Sequence, residues 1–226
     1  MSVYCLSFLP PMKERLYLLG LFLLVMLGWD YPVFQPLKLL VVFFHESSHA
    51  LATVLTGGAV QELVIVKEQG GHVVSAGGNR FIILSAGYLG SLAWGVGIYL
   101  ASVKTTHDKH IMALLGIALA VITLLFTHSL FSWVFGALTS CLMLLSAKFL
   151  STCYNDFLLR LLGLTNMAYV PLDIYSDTIL NSQLRSDAFM LATEFGGATV
   201  LWGVAWIVIS VWVIFGCLRL SLNRVT

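Results

Sequence analysis

The chain has 226 residues, 59% of them hydrophobic and 10% charged, against about 25% charged in soluble domains. That composition excludes a water-soluble globule. A net charge of +1, from 12 Lys plus Arg against 11 Asp plus Glu, leaves no basic footprint for nucleic acid.

A helix crossing about 30 Å of hydrocarbon needs about 20 largely apolar residues. On that measure seven spans are expected, near 15–29, 36–56, 80–102, 110–127, 129–147, 157–177 and 197–219. The first is expected to stay in the mature protein: Pro10 and Pro11 precede Lys13 and Arg15, and no small-residue cleavage pattern follows. The stretch from His110 to Ala147 carries no formal charge and is too long for one crossing, so it divides at Thr127-His128-Ser129. Lys and Arg fall almost evenly on alternate sides, so they set no orientation. Cys5, Cys141, Cys153 and Cys217 form no Cys-x-x-Cys pair and read as small buried hydrophobes. The fold class expected is an all-α polytopic membrane protein of about six to seven transmembrane helices, forming a single domain over residues 1–226.

Two apolar stretches carry polar interruptions. The first, Pro36 to Leu55, contains His45-Glu46-Ser47-Ser48-His49. Residues four apart on a helix share a face, so both imidazoles can reach one metal ion, with Glu46 beside it. Catalytic zinc takes three protein ligands and activates water, and a neighbouring carboxylate then serves as general base. Glu46 suits that role. Two imidazoles and a carboxylate following Leu39-Leu40-Val41-Val42-Phe43-Phe44 are costly in a bilayer unless they serve a function.

Between the second and third spans, Val60 to Val66 and His72 to Ser75 are rich in β-branched residues. Lys67-Glu68-Gln69-Gly70-Gly71 separates them, which reads as a small β-hairpin after the motif helix. Its edge could hold an extended substrate by main-chain hydrogen bonds. In the third span, Gly87, Ser91 and Gly95 form a small-residue stripe that admits a close neighbour, with the motif helix as the expected partner. His107, His110 and His128 lack ligand spacing to the motif and read as solvated or interfacial.

The second interrupted stretch, Phe157 to Leu180, contains Arg160, Asp173 and Asp177. Asp173 and Asp177 are four apart, so either can complete a site of two His and one carboxylate while the other orients a ligand. Asp173, with the more apolar flanks, is favoured. Pro171 is expected to break or kink the helix just before it. Further on, Ser186-Asp187-Ala188 reads as a helix start with Ser186 as N-cap. Trp202 and Trp206 read as lipid-facing or packing residues.

The chain resembles the site-2 protease family of intramembrane zinc metalloproteases, in particular its small members without accessory domains. Phe44-His45-Glu46-Ser47-Ser48-His49-Ala50 is similar to the family's motif helix. Ser85-Ala86-Gly87-Tyr88-Leu89-Gly90-Ser91 is similar to its Ala-Gly-Pro-like segment, with Tyr88 where Pro is frequent. Pro171-Leu172-Asp173 is similar to the end of its Asn-Pro-x-Leu-Asp-Gly motif, with Ile174 in place of Gly. The resemblance covers roughly residues 36–190, which it marks as a core. It implies His45, His49 and Asp173 as ligands of a zinc ion and Glu46 as general base. It also implies hydrolysis of peptide bonds in a membrane-protein substrate helix within the lipid bilayer. The competing expectation is a catalytically inactive metal-binding membrane protein, a scaffold or a metal transporter. Transport would need further polar groups along a path, and the spans from His110 to Ala147 offer few.

Overall fold

The computed structural model describes residues 11–29, 31–68 and 70–222, so Cys5 and Pro10 lie outside the described residues. Eight α-helices and one antiparallel pair of strands make up these residues, 79% of them helical. In chain order they are α1 (Pro11–Gly28), α2 (Gln35–Leu55), β1 (Ala59–Val66), β2 (Gly70–Ala76), α3 (Arg80–Lys104), α4 (Asp108–Phe126), α5 (Leu130–Phe149), α6 (Thr152–Tyr175), α7 (Asp187–Phe195) and α8 (Thr199–Leu222). The arrangement is that of an integral, multi-pass membrane protein.

Among the described residues five helices are long and apolar enough to cross a bilayer: α3, α4, α5, α6 with its extension to Leu180, and α8. Of the two remaining expected spans, α2 carries Lys38, His45, Glu46 and His49 among its apolar residues, and α1 contributes a shorter apolar stretch, Leu16–Val25, among the described residues. Leu114, Leu124, Leu138, Leu201 and Trp212 point outward from α4, α5 and α8, as lipid-facing side chains must when the solvent is hydrocarbon.

Local chemistry fixes the element boundaries. Asn79 caps α3 by accepting from the Ile82 amide at 3.1 Å. Ser129 caps α5 by accepting from Ser132 N at 3.3 Å, so the long apolar stretch divides at 127–129 as expected. The hairpin also forms where the β-branched residues lie, with strands slightly longer than expected and a bulge between Val60 and Glu62. Gly57, Gly77 and Gly78, with φ of 82°, 73° and 76°, supply the left-handed turns that link it to α2 and α3. Ser132 then anchors the hairpin: its hydroxyl accepts from Ile65 N at 2.8 Å and donates to Ile65 O at 3.1 Å.

Two apolar clusters hold the helices together. One joins Phe43 and Phe44 of α2 to Leu63 and Ile65 of β1 and to Met112, Leu115 and Leu119 of α4. The other joins Leu84 and Tyr88 of α3 to Met167 and Ile174 of α6, Leu191 of α7 and Trp206 of α8. The stripe on α3 meets the expected motif helix at Gly87, where a Cβ would stand 2.5 Å from His49 Nε2, and α6 beyond it. Ser91 donates to Asn166 Oδ1 at 2.8 Å, and a Cβ on Gly95 would stand 2.9 Å from Met167 N. A further contact with α2 lies one residue round the helix at Gly90, where a Cβ would stand 2.5 Å from Ser48 Cβ. Pro171 does not break α6. The helix continues to Tyr175 and widens into a π-helical turn over Ser176–Leu180.

Candidate metal centre

His45 and His49 lie one turn apart on α2 with ring centroids separated by 4.9 Å. His49 Nδ1 is 2.7 Å from the carbonyl oxygen of Ile83. A carbonyl only accepts, so Nδ1 carries the proton and Nε2 presents a lone pair. That lone pair faces Asp187 Oδ2 at 3.1 Å, and His45 Nε2 approaches the same oxygen at 3.1 Å. Neutral imidazole nitrogens and a carboxylate oxygen repel one another at this separation unless a proton or a cation lies among them.

The donor atoms of His45, His49 and Asp187 all fall within 4.8 Å of one another, the one such group among the described residues. Gly87 of α3 leaves room beside them. A Cβ there would stand 2.5 Å from both Asp187 Oδ2 and His49 Nε2, and closer still to His45 Nε2. The α3 backbone thus comes close against all three donors, and any side chain at this position would displace them. Two imidazoles and one carboxylate are also a donor set suited to zinc, so the residues fit the ion.

Asp187 comes from the start of α7, where Ser186 accepts from Phe189 N at 3.2 Å. The capping expected at Ser186 is therefore present, and it aims the next residue at the imidazoles. Ala188 and Leu191, both fully buried, hold the helix down. Burial alone would raise the Asp187 carboxyl, but His49 and His45, when a proton rather than a cation lies among the three groups, hold it below the usual carboxylate range.

Glu46 is 5% exposed and has neither hydrogen bond nor ion pair among the described residues. It abuts β2 at Gly71, where a Cβ would stand 2.8 Å from Glu46 Oε1. These groups line one cavity of about 700 Å³, bounded by α2, β2, α3, α6 and α7, into which Asp173, Asp177, Arg80, Arg185 and His72 also face.

Asp173, favoured from the sequence as third ligand, lies in this cavity but not in the cluster of donor atoms, and neither does Asp177. Tyr88 is the physical reason for Asp177. Its ring packs edge-on against His45 at 5.0 Å, and its hydroxyl donates to Asp177 Oδ2 at 2.6 Å. The α6 wall is thereby set one aromatic ring back from the imidazoles. Trp206 packs against the other side of Tyr88, at 5.2 Å, so it is a packing residue as expected.

A family model described as Peptidase M50B-like matches residues 18–217. The chain belongs to that family. No curated protein and no solved structure matches it. M50 members are intramembrane metalloproteases, and membership makes this chain a protease by family and its environment a lipid bilayer. The His45–His49–Asp187 cluster of this M50B-like chain is compatible with metal binding.

Proposed function

We propose that the protein is an intramembrane zinc endopeptidase in which His45, His49 and Asp187 hold the metal and Glu46 is the general base. The observation that carries this reading is the convergence of three donor atoms, from His45, His49 and Asp187, within 4.8 Å of one another, adjoining a buried carboxylate with no partner of its own. Zinc bound there supplies Lewis acidity, lowering the pKa of water and polarising the scissile carbonyl.

The chain's own residues do the rest. His49 is fixed in tautomer and orientation by Ile83 O. Glu46 follows His45 in the chain and is free to accept the proton of the attacking water, then return it to the leaving amine. The two-stranded sheet leaves the outer edge of β2 unpaired, and Gly70 to Ser75 of that strand line the cavity. A substrate helix that unwinds locally can pair its main chain with this edge, bringing a carbonyl beside Glu46 where Gly71 has no side chain.

The test is cleavage of a transmembrane peptide in proteoliposomes by wild type and Glu46→Gln. Wild type cleaves and is inhibited by a zinc chelator. Glu46→Gln keeps its metal and loses roughly 10²–10⁴-fold in rate. Cleavage by Glu46→Gln at the wild-type rate would remove Glu46 from the mechanism.

A further inference from the structure

Asp173 and Asp177 form the part of the cavity that metal binding leaves unexplained. They sit four residues apart, Asp173 in the last turn of α6 and Asp177 in the π-helical turn, and both face the space that contains the imidazoles. Their hydrogen-bond partners among the described residues are tyrosines. Tyr88 donates to Asp177 at 2.6 Å, and Tyr169 lies beside Asp173.

Among the described residues no Lys or Arg forms an ion pair with either. Of the two arginines on the cavity, Arg80 is committed to Glu194 with contacts of 3.1 and 3.2 Å, and Arg185 is exposed at the rim. Asp187, by contrast, faces two imidazoles. Two carboxylates without a lysine or arginine partner in a membrane-embedded helix are costly. They persist where a cavity admits water or a cationic ligand. The buried, unpartnered carboxylate of Glu46 faces the same space, so the cavity is built for an occupant that the chain does not itself supply.

We propose that Asp173 and Asp177 form a specificity subsite that receives a basic side chain, lysine or arginine, of the polypeptide lying along β2. Side chains of an extended strand alternate between faces. A polypeptide paired with the β2 edge therefore directs alternate side chains toward the α6 wall. Tyr88 links the two functions: its ring orients His45 while its hydroxyl holds Asp177. The residue selected is accordingly close in sequence to the bond cleaved. The endopeptidase reading enters only in naming the occupant a polypeptide.

Binding, not cleavage, provides the test. The full-length Glu46→Gln protein in detergent is titrated with two fluorescent pentapeptides, Leu-Val-Lys-Val-Leu and the same sequence with norleucine for lysine. The lysine peptide is expected to bind roughly 10-fold more tightly. Adding Asp173→Asn and Asp177→Asn should reduce that preference to within about 2-fold while the norleucine affinity and the zinc content stay unchanged. Equal affinities, failure of the lysine peptide to bind, or a preference that survives both Asn substitutions would overturn the subsite. Incubating wild type with the lysine peptide separates the two claims. Selective binding without hydrolysis keeps the subsite and removes the endopeptidase.

Discussion

Helix α6 carries two polar regions that treat buried charge in opposite ways. Near its start, Arg160 and Asp156 are buried and joined at 2.6 Å, and Ser102 of α3 donates to the same Asp156 oxygen at 2.9 Å. Next to them, Asn155 donates to Ser146 O and Ser151 O at 3.1 and 3.0 Å. Near its end, Asp173 and Asp177 have tyrosines and no lysine or arginine as partners among the described residues, and they face a cavity that also contains Glu46 and the imidazoles. Along α3 the two regions, marked by Ser102 and Gly87, are separated by roughly 22 Å at about 1.5 Å per residue. The first pairs Asp156 with a cation from its own helix and ties α3, α5 and α6 together. The second leaves its charge and its donor atoms open to a ligand. Polar groups in apolar sequence are thus not all site residues, and what separates the two kinds is whether the chain provides its own counter-charge.

The sharpest way to break the comparison is to remove a group from the open region. His45→Ala should abolish both metal binding and proteolysis while leaving the melting temperature of the metal-free protein almost unchanged, read by elemental analysis, cleavage assay and thermal unfolding in detergent. Gly87→Ala should do nearly the same without replacing a ligand, because the new Cβ would press to within 2.5 Å of all three donor atoms and force them apart. Retention of full metal content by that variant would contradict the assignment of these three donors to one site.

In the paired region the signs reverse. Arg160→Leu leaves Asp156 buried without its partner and should cost about 3–5 kcal/mol of stability, measured by thermal or denaturant unfolding. Metal content per folded chain should not change. Replacing Asp156 and Arg160 together by Leu should recover much of that loss, since a buried ion pair contributes little beyond a well-packed apolar pair. The smallest effect is expected at Tyr88→Phe, which keeps the ring against His45 and removes only the donor to Asp177. A hydrogen bond to a charged group contributes about 1.5–3 kcal/mol, so a modest fall in melting temperature with full zinc occupancy is expected.

The parts of the fold legible in the sequence are those fixed by local pattern. His45, Glu46 and His49 stood out because four-residue spacing puts both imidazoles on one helical face within an apolar run. The hairpin stood out because β-branched residues lie between paired glycines, and the α4–α5 boundary because Ser129 is a natural cap. The third donor was not legible by the same route. Searching for acids within apolar sequence leads to Asp173 and Asp177, whereas Asp187 lies in a polar connection and looks like the first residue of a capped helix. Its signal was the pattern that follows: Ala188 and Leu191 bury one face of α7, which turns the helix start inward. The role of Tyr88 depends on α2, α3, α6 and α8 meeting at one point, and no spacing along the chain encodes that.

The central claim is the identity of the third ligand, and the zinc content of the purified protein tests it most directly. Wild type, Asp187→Ala and Asp173→Ala are prepared side by side under zinc-replete conditions and analysed for metal per chain. The geometry predicts about one zinc in wild type and in Asp173→Ala, as expected for a catalytic site with three protein ligands, and none in Asp187→Ala. Zinc retained by Asp187→Ala and lost from Asp173→Ala would contradict it.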